Sequence, residues 1–211
     1  MGLRPHLLYG GGMKALLVVG SAPCLYDDVE RAKKLYPDAH IMLVNGACVA
    51  IEKAEHVLAG HREKAEYFAN ARRQFFPDAP PWRLHANGHK MDESRKAETP
   101  SVTDWWGSEV STGATSAGKG VRIGLAMGYD PIILCGAPMD GSGYFPGESV
   151  NGARIHHDCH RVGDPARQEH RTIMGYRDKF ARLAAKEFNG RVFSMSGYTK
   201  ELLGEPPDWL S

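Results

Sequence analysis

Short apolar runs that end in glycine or asparagine recur along this chain, and each is followed by a segment with helical spacing. The first run begins at Ala15 and ends in Gly20, and similar runs occupy 40–44, 56–59, 131–135 and 191–195. Runs this short and this uniformly apolar are typical of parallel strands buried on both faces. The alternation predicts one α/β domain of Rossmann-like type, with a mainly parallel sheet and helices on both faces.

The segments between these runs predict the helices and loops. Helical spacing covers 27–35, 47–53, 62–75, 116–127, a long stretch from 165 or 169 to 188, and 199–203. Residues 77–112 are rich in Pro, Gly, Asp and Ser, so we expect loops and short pieces there, with weak strand signals near Trp82–His85. A long loop is expected at 137–165, and loops of that length inside domains are usually functional or mobile.

The length, net charge and cysteine content limit the kinds of protein that this chain can be. A chain of 211 residues can form one domain with a sizeable core, which we expect at 13–211, after a flexible glycine-rich leader at 1–12. The formal net charge of +1 provides no strong field for nucleic acid or an anionic membrane. No apolar run reaches the roughly 18 residues that would predict a membrane span. The four cysteines form no C-x-x-C pair, which fits a reducing cytoplasm.

Ligands of open parallel sheets bind outside the carboxyl ends of the strands. The candidate segments are therefore 20–25, 45–48, 60–62, 112–119 and 136–144. In the first of them, Gly20 lets the backbone turn towards a ligand, while Ser21 and the following amides, beginning with Ala22, can bind a phosphate or sugar. The pattern is not G-x-G-x-x-G, and a simple strand–helix turn is an alternative.

Two further segments carry groups that can bind a nucleotide. Asn45 follows the second strand, where it can bind a ribose hydroxyl or a base edge, or simply form a turn with Gly46. Residues 113–119 match most of a phosphate-binding P-loop, but Gly120 stands where that loop needs Ser or Thr for magnesium. We therefore expect Thr115 and Ser116 to be hydroxyls that cap a helix facing the ligand.

The glycine-rich segment after the fourth run and the histidines beyond it carry polar groups. Gly136 opens a loop that can present Asp140 and Tyr144, with Asp140 either binding a metal or sugar hydroxyl or forming a turn. The run 156–160, His-His-Asp-Cys-His, resembles zinc ligands, but adjacent residues rarely converge on one tetrahedral ion, so we predict no metal there. His170 precedes a strong helix and can act as a general base near neutral pH, or be an exposed histidine.

Taken together, these motifs resemble those of the bacterial single-domain sialyltransferases that use CMP-sialic acid. The residues that carry the resemblance are Gly20-Ser-Ala-Pro-Cys-Leu25, Asn45, Thr115-Ser116-Ala117 with Gly128-Tyr129 one helix later, the strand ending at Gly136, Tyr144 and His170. The resemblance covers most of residues 13–205. This chain departs from the family pattern at Gly113, Ala117 and Asp140, where the family has a basic residue, a glycine and a tyrosine.

The resemblance implies a metal-independent enzyme with no cofactor beyond its CMP-sugar donor, a hydroxyl acceptor and, in some relatives, a homo-oligomer. It implies that Tyr144 assists the leaving phosphate and His170 is the base, while 20–22, Asn45, 115–117, Gly136 and Asp140 hold the nucleotide. The archaeal-type hydroxymethyl-dihydropterin pyrophosphokinases share the first turn and the Thr-Ser helix, which implies an ATP- and magnesium-dependent alternative. A nucleotide-binding protein without catalysis is the other alternative.

Overall fold

The computed structural model describes residues 14–88, 96–111, 114–142, 149–150, 153–154 and 165–208. Its strands are β1 (Leu16–Val19), β2 (His40–Val44), β3 (His56–Ala59), β4 (Arg83–Asn87), β5 (Asp104–Trp106), β6 (Ile132–Cys135), β7 (Ser149–Val150), β8 (Ala153–Arg154) and β9 (Val192–Ser194). Seven of them form one sheet in the order β5-β4-β3-β2-β1-β6-β9, and all its pairings are parallel. The strands β7 and β8 form a separate antiparallel pair.

Helices cover both faces of this sheet. The α-helices are α1 (Leu25–Leu35), α2 (Ala65–Phe75), α3 (Ser108–Ser111), α4 (Ser116–Ala126), α5 (Pro165–Glu187) and α6 (Gly197–Leu203), with 3₁₀ turns at Asn45–Val49 and Arg62–Lys64. Side chains alternate along β1, so that Leu17 packs with α1 and α2 on one face while Leu16 packs with α4 and α5 on the other. The structure confirms the predicted α/β Rossmann-like fold. None of the described helices combines the length and apolar character needed to cross a bilayer.

The glycines of α4 bring this helix unusually close to the sheet. A Cβ atom on Gly120 would lie 2.9 Å from Cγ1 of Val18, and one on Gly124 would lie 2.6 Å from Cδ2 of Leu16. Neither distance is compatible with a side chain unless the sheet shifts. Gly120 and Gly124 reduce the helix propensity of this segment, but they allow its close packing on the sheet.

The structure differs from the sequence prediction between residues 77 and 112. The segment predicted as loops and short pieces contains β4, which agrees with the weak strand signals near Trp82–His85, and also β5 and α3, which the sequence did not indicate. Its strands lack a regular apolar pattern because His85, Asp104 and Trp106 take part in polar contacts along the sheet edge. The helix predicted at 47–53 is instead a 3₁₀ turn at Asn45–Val49, which begins with Asn45 in the left-handed region at φ 52°.

A chain of buried and part-buried hydrogen bonds crosses strands β2 to β5 on the face covered by α4. The indole nitrogen of Trp106 donates to Nδ1 of His85 at 3.1 Å, and an indole N–H can only donate. In the neutral ring, Nε2 of His85 then donates to Nδ1 of His56 (3.0 Å), and Nε2 of His56 donates to the Tyr129 hydroxyl (2.9 Å). The Tyr129 hydroxyl in turn donates to Nδ1 of His40 at 2.6 Å. We call Trp106, His85, His56, Tyr129 and His40 the His–Tyr chain. The N–H of Trp106 at one end of it thus fixes the tautomer of all three histidine rings.

Burial keeps the histidines of this chain neutral. Desolvation is the main cause that lowers the pKa of His56 to about 4 and the pKa of His85 to about 3, and a neighbouring histidine contributes to each shift. Glu55 and Asp104 oppose the shift, and Arg83 adds to it. Because both pKa values lie below the ordinary 6.5, the unfolded chain binds more protons than the folded one at mildly acidic pH.

We predict that the contribution of these histidines to the free energy of unfolding is nearly constant above about pH 7.5 and falls as the pH drops through 6.5 towards 4. His56→Gln should lower stability at pH 7.5, because it interrupts the His–Tyr chain, but should flatten this acid dependence. The measurement is urea unfolding between pH 4.5 and 8. His61→Gln is the control, since this exposed histidine lies outside the chain and the substitution should preserve the wild-type slope. An unchanged slope in His56→Gln would contradict the prediction.

Candidate functional site

The order of the strands creates a crevice between β1 and β6. The strands β2, β3, β4 and β5 follow one another on one side of β1. The next strands of this sheet along the chain, β6 and β9, lie on the other side of β1. Successive loops therefore leave β1 and β6 in opposite directions at their carboxyl ends, which is where ligands of doubly wound sheets bind. A cavity of about 190 Å³ lies at this point.

The cavity is lined by all the described residues that the sequence predicted to hold a nucleotide. These residues are Gly20, Ser21, Ala22, Asn45, Thr115, Ser116, Ala117, Gly136 and Asp140. Met139, Tyr176, Phe180 and Thr199 also line it. Loops from β1, β2 and β6 and the start of α4 thus meet at one site, while the contact of each residue with a ligand stays a prediction.

Two glycines allow the β1 and β6 loops to touch at the base of the cavity. A Cβ atom on Gly20 would lie 2.5 Å from the carbonyl oxygen of Gly136. Gly136 has φ 59°, and a Cβ there would lie 2.6 Å from Cβ of Leu25. The amide of Gly20 donates to the Cys135 carbonyl (2.8 Å), and that of Ala22 donates to the Gly136 carbonyl (3.0 Å).

These bonds change the role expected of the first loop. We expected the amides after Ser21 to bind a phosphate, but the amide of Ala22 is already engaged within the protein. The half-buried Ser21 keeps a hydroxyl at the cavity wall. Ser21 is therefore the polar group of this loop that a ligand can use.

A buried carboxylate joins three segments beneath the cavity. Oδ2 of Asp28, on α1, accepts a hydrogen bond from the amide of Gly136 (2.8 Å) and another from the hydroxyl of Ser196 (2.6 Å). Asp28 is 2% exposed, so these donors compensate for the loss of water around its carboxylate. No sequence motif indicated this role of Asp28, because acidic residues are common in the first turn of a helix, where they interact favourably with the helix dipole.

Asn45 is oriented by the end of the neighbouring strand. Its Oδ1 accepts a hydrogen bond from the amide of Gly60 at 2.8 Å, and the carbonyl of Gly60 accepts one from Nζ of Lys119 at 2.9 Å. With Oδ1 engaged, the Nδ2 amide is the group that Asn45 can offer to a ligand, and it is a donor. Phosphate and ribose oxygens are suitable acceptors for it.

Gly60 leaves no room for a side chain. A Cβ atom would overlap Oγ of Ser116 and would lie 3.1 Å from Oδ1 of Asn45. Gly60 thus sets the positions of two cavity residues, a role that we did not assign to it, although its segment was among the candidates.

Thr115 caps α4, as the sequence predicted. Its Oγ1 accepts a hydrogen bond from the amide of Gly118 at 3.0 Å, and its backbone is extended. Ser116 is the first helical residue. The side chain of Lys119 is bonded to Gly60, and burial lowers the pKa of its ammonium. Gly120 packs on the sheet, so this segment does not place its lysine as a P-loop would.

Asp140 forms a turn at the rim of the cavity. Its Oδ1 accepts a hydrogen bond from the amide of Ser142 at 2.9 Å, the pattern of an Asx turn. The residue is exposed. Within the described ranges, no group of three or more His, Cys, Asp or Glu side chains is arranged to hold a metal ion.

Several predicted positions lie outside the described residues. They include the leader at 1–12, Gly113, Tyr144 and the run 156–160. His170 falls within α5, whose backbone is described, but its side chain lies outside the described part. The roles of Tyr144 and His170 therefore stay predictions.

We predict that Gly60→Ala weakens CMP binding roughly tenfold or more, because forcing a methyl group into packed space typically costs about 1–3 kcal/mol and here displaces Asn45 and Ser116. Isothermal titration calorimetry with CMP measures the effect. Gly175→Ala is the matched control, since a Cβ at this exposed helical position meets nothing within 4 Å. Equal CMP affinity in the two variants would show that Gly60 does not shape the site.

Comparison with known proteins identifies structural neighbours. No protein-family profile and no curated protein sequence matches the chain. A structure of a variant of the sialyltransferase Cst-II in complex with CMP has a TM-score of 0.63 at 12% identity, over 94% of this chain and 88% of the other. The sialyltransferase CstII from Campylobacter jejuni in complex with a substrate analogue, CMP-3FNeuAc, has a TM-score of 0.60 at 13% identity, over 94% and 89%.

A third structural neighbour is a larger protein. The Maf glycosyltransferase from Magnetospirillum magneticum AMB-1 has a TM-score of 0.53 at 14% identity over 89% of this chain, which spans 33% of that protein. At identities this low, the structural similarity shows a common fold and nothing finer. The chain therefore has a Rossmann-like fold similar to that of sialyltransferases and of a second glycosyltransferase.

Proposed function

We propose that this protein is a glycosyltransferase that uses a CMP-activated sugar, as the sialyltransferases do. The observation that carries the proposal is the cavity at the β1–β6 crevice, where Ser21, Asn45 and Ser116 meet on a fold shared with CMP-bound sialyltransferases. Donors from separate loops around one small cavity suit a nucleoside phosphate, whose oxygens are acceptors.

In the proposed reaction the acceptor hydroxyl attacks the anomeric carbon of the donor sugar. The bond between that carbon and the phosphate oxygen breaks, and CMP leaves with the electron pair. His170 takes the proton of the acceptor hydroxyl, and Tyr144 donates a hydrogen bond to the departing phosphate. Such assistance to the leaving group allows transfer without a metal ion, which is how we propose this enzyme works.

The composition of the cavity wall supports a role for neutral donors. Among the described lining residues, Asp140 is the one with a formal charge, and the others offer hydroxyl, amide or apolar groups. The fold is also that of proteins whose structures contain CMP or CMP-3FNeuAc. Both observations favour a CMP-sugar over ATP with magnesium, which is the competing assignment.

We predict that CMP raises the thermal unfolding midpoint, while UDP, GDP and ATP at equal concentration do not. Only a ligand that binds the folded state stabilises it by mass action. Differential scanning fluorimetry with each nucleotide, with EDTA and with magnesium, makes the measurement. Stabilisation by ATP that requires magnesium would contradict the proposal and favour a pyrophosphokinase.

We predict that His170→Ala lowers transfer from CMP-sialic acid by about 10²–10⁴-fold, the usual contribution of a positioned general base, and leaves CMP affinity within a factor of about three. CMP release in the presence of a screened set of sugar acceptors measures turnover, and calorimetry measures binding. Wild-type turnover in the variant would exclude His170 as the base. Tight CMP binding by a wild-type chain that never cleaves a CMP-sugar would indicate a binding protein without catalysis.

A further inference from the structure

Arg177 connects the long helix α5 to the rim of the cavity. Its Nε donates a hydrogen bond to the carbonyl of Met139 at 2.8 Å, and its guanidinium lies over the ring of Tyr198 with Cζ 4.4 Å from the centroid. Met139 lines the cavity next to Asp140, and Tyr198 belongs to α6. One half-buried side chain therefore joins α5, α6 and the loop that follows β6.

The rim segment that Arg177 binds has an unfavourable backbone. Met139 has φ 52°, in the left-handed region that a residue with a side chain rarely adopts. Such a conformation persists where the surrounding structure imposes it. The bond from Arg177 restrains Met139 directly. The preceding residues are restrained from α6, because the hydroxyl of Thr199 donates to the carbonyl of Ala137 at 2.9 Å.

Arg177 also fixes a helix that carries a predicted reacting group. One turn further along α5, Phe180 is buried against the sheet and lines the cavity. In the other direction, His170 lies two turns before Arg177, roughly 10 Å along the helix axis. The contacts of Arg177 and Phe180 thus set how the half of α5 that carries His170 approaches the cavity.

We propose that Arg177 is a positioning residue, which holds the α5 segment that carries His170 at a fixed distance from the β6 rim. This inference rests on the proposed function. Loss of Arg177 leaves the Ser21–Asn45–Ser116 side of the cavity intact but lets α5 and the rim move apart. Since small displacements of a reacting group are costly to the rate, turnover should suffer far more than nucleotide binding.

Arg177→Met keeps an unbranched apolar side chain that reaches about as far as Nε, but it removes the guanidinium with its N–H donors and its charge. We expect turnover of a CMP-sugar to fall by about tenfold or more, with CMP affinity unchanged within about threefold. Arg177→Lys, which retains a donor and a cation over Tyr198, should recover part of the lost turnover. Arg182→Met is the matched control, because it makes the same change at an exposed position of the same helix and should behave as wild type.

A double-mutant cycle distinguishes positioning from a general loss of structure. If Arg177 acts through His170, then His170→Ala should cost much less in the Arg177→Met background than in the wild type. Additive losses, wild-type turnover in Arg177→Met, or a parallel loss of CMP affinity would each overturn the assignment. If His170→Ala has no effect even in the wild-type background, or if the wild type cleaves no CMP-sugar, the proposed function fails first and the role of Arg177 fails with it.

Discussion

The close approach of the β1 and β6 loops is the constraint on which the site depends. Gly20 and Gly136 touch backbone to backbone, so the two strands can run side by side up to the point where their loops diverge. The buried carboxylate of Asp28 then fixes the amide of Gly136 to α1 and, through Ser196, to the turn before α6. A side chain at either glycine would separate the loops and open the base of the cavity.

The donors around the cavity are oriented by groups that do not themselves line it. Lys119 holds the carbonyl of Gly60, and the amide of Gly60 holds Oδ1 of Asn45. Lys119 is therefore engaged in positioning Asn45, and it does not line the cavity itself. The site thus presents neutral donors with fixed directions, and such preorganised donors stabilise developing charge without reorganising during the reaction.

The sequence predicted the features that depend on local pattern. The core strands and the helices beside them follow from apolar runs and helical spacing, and the residues at the strand ends meet because parallel strands end at the same edge. The strand β4 was indicated only by weak signals and β5 was not predicted, since the polar contacts of His85 and Trp106 in the sheet are made with residues of another strand. Likewise, Asp28, Gly60 and Arg177 act through partners that are distant in sequence, and no local pattern records such contacts.

The surroundings of each histidine decide what chemistry it can perform. His56 and His85 are held neutral by burial, with pKa values of about 4 and about 3, and both ring nitrogens of each are engaged in the His–Tyr chain. A base with so low a pKa accepts a proton poorly at neutral pH. In the sheet, β2 also separates their strands, β3 and β4, from the β1–β6 crevice. A histidine base for this cavity has to come from a segment that approaches the crevice itself. The helix α5, which reaches the cavity through Tyr176 and Phe180, is such a segment, and His170 lies on it.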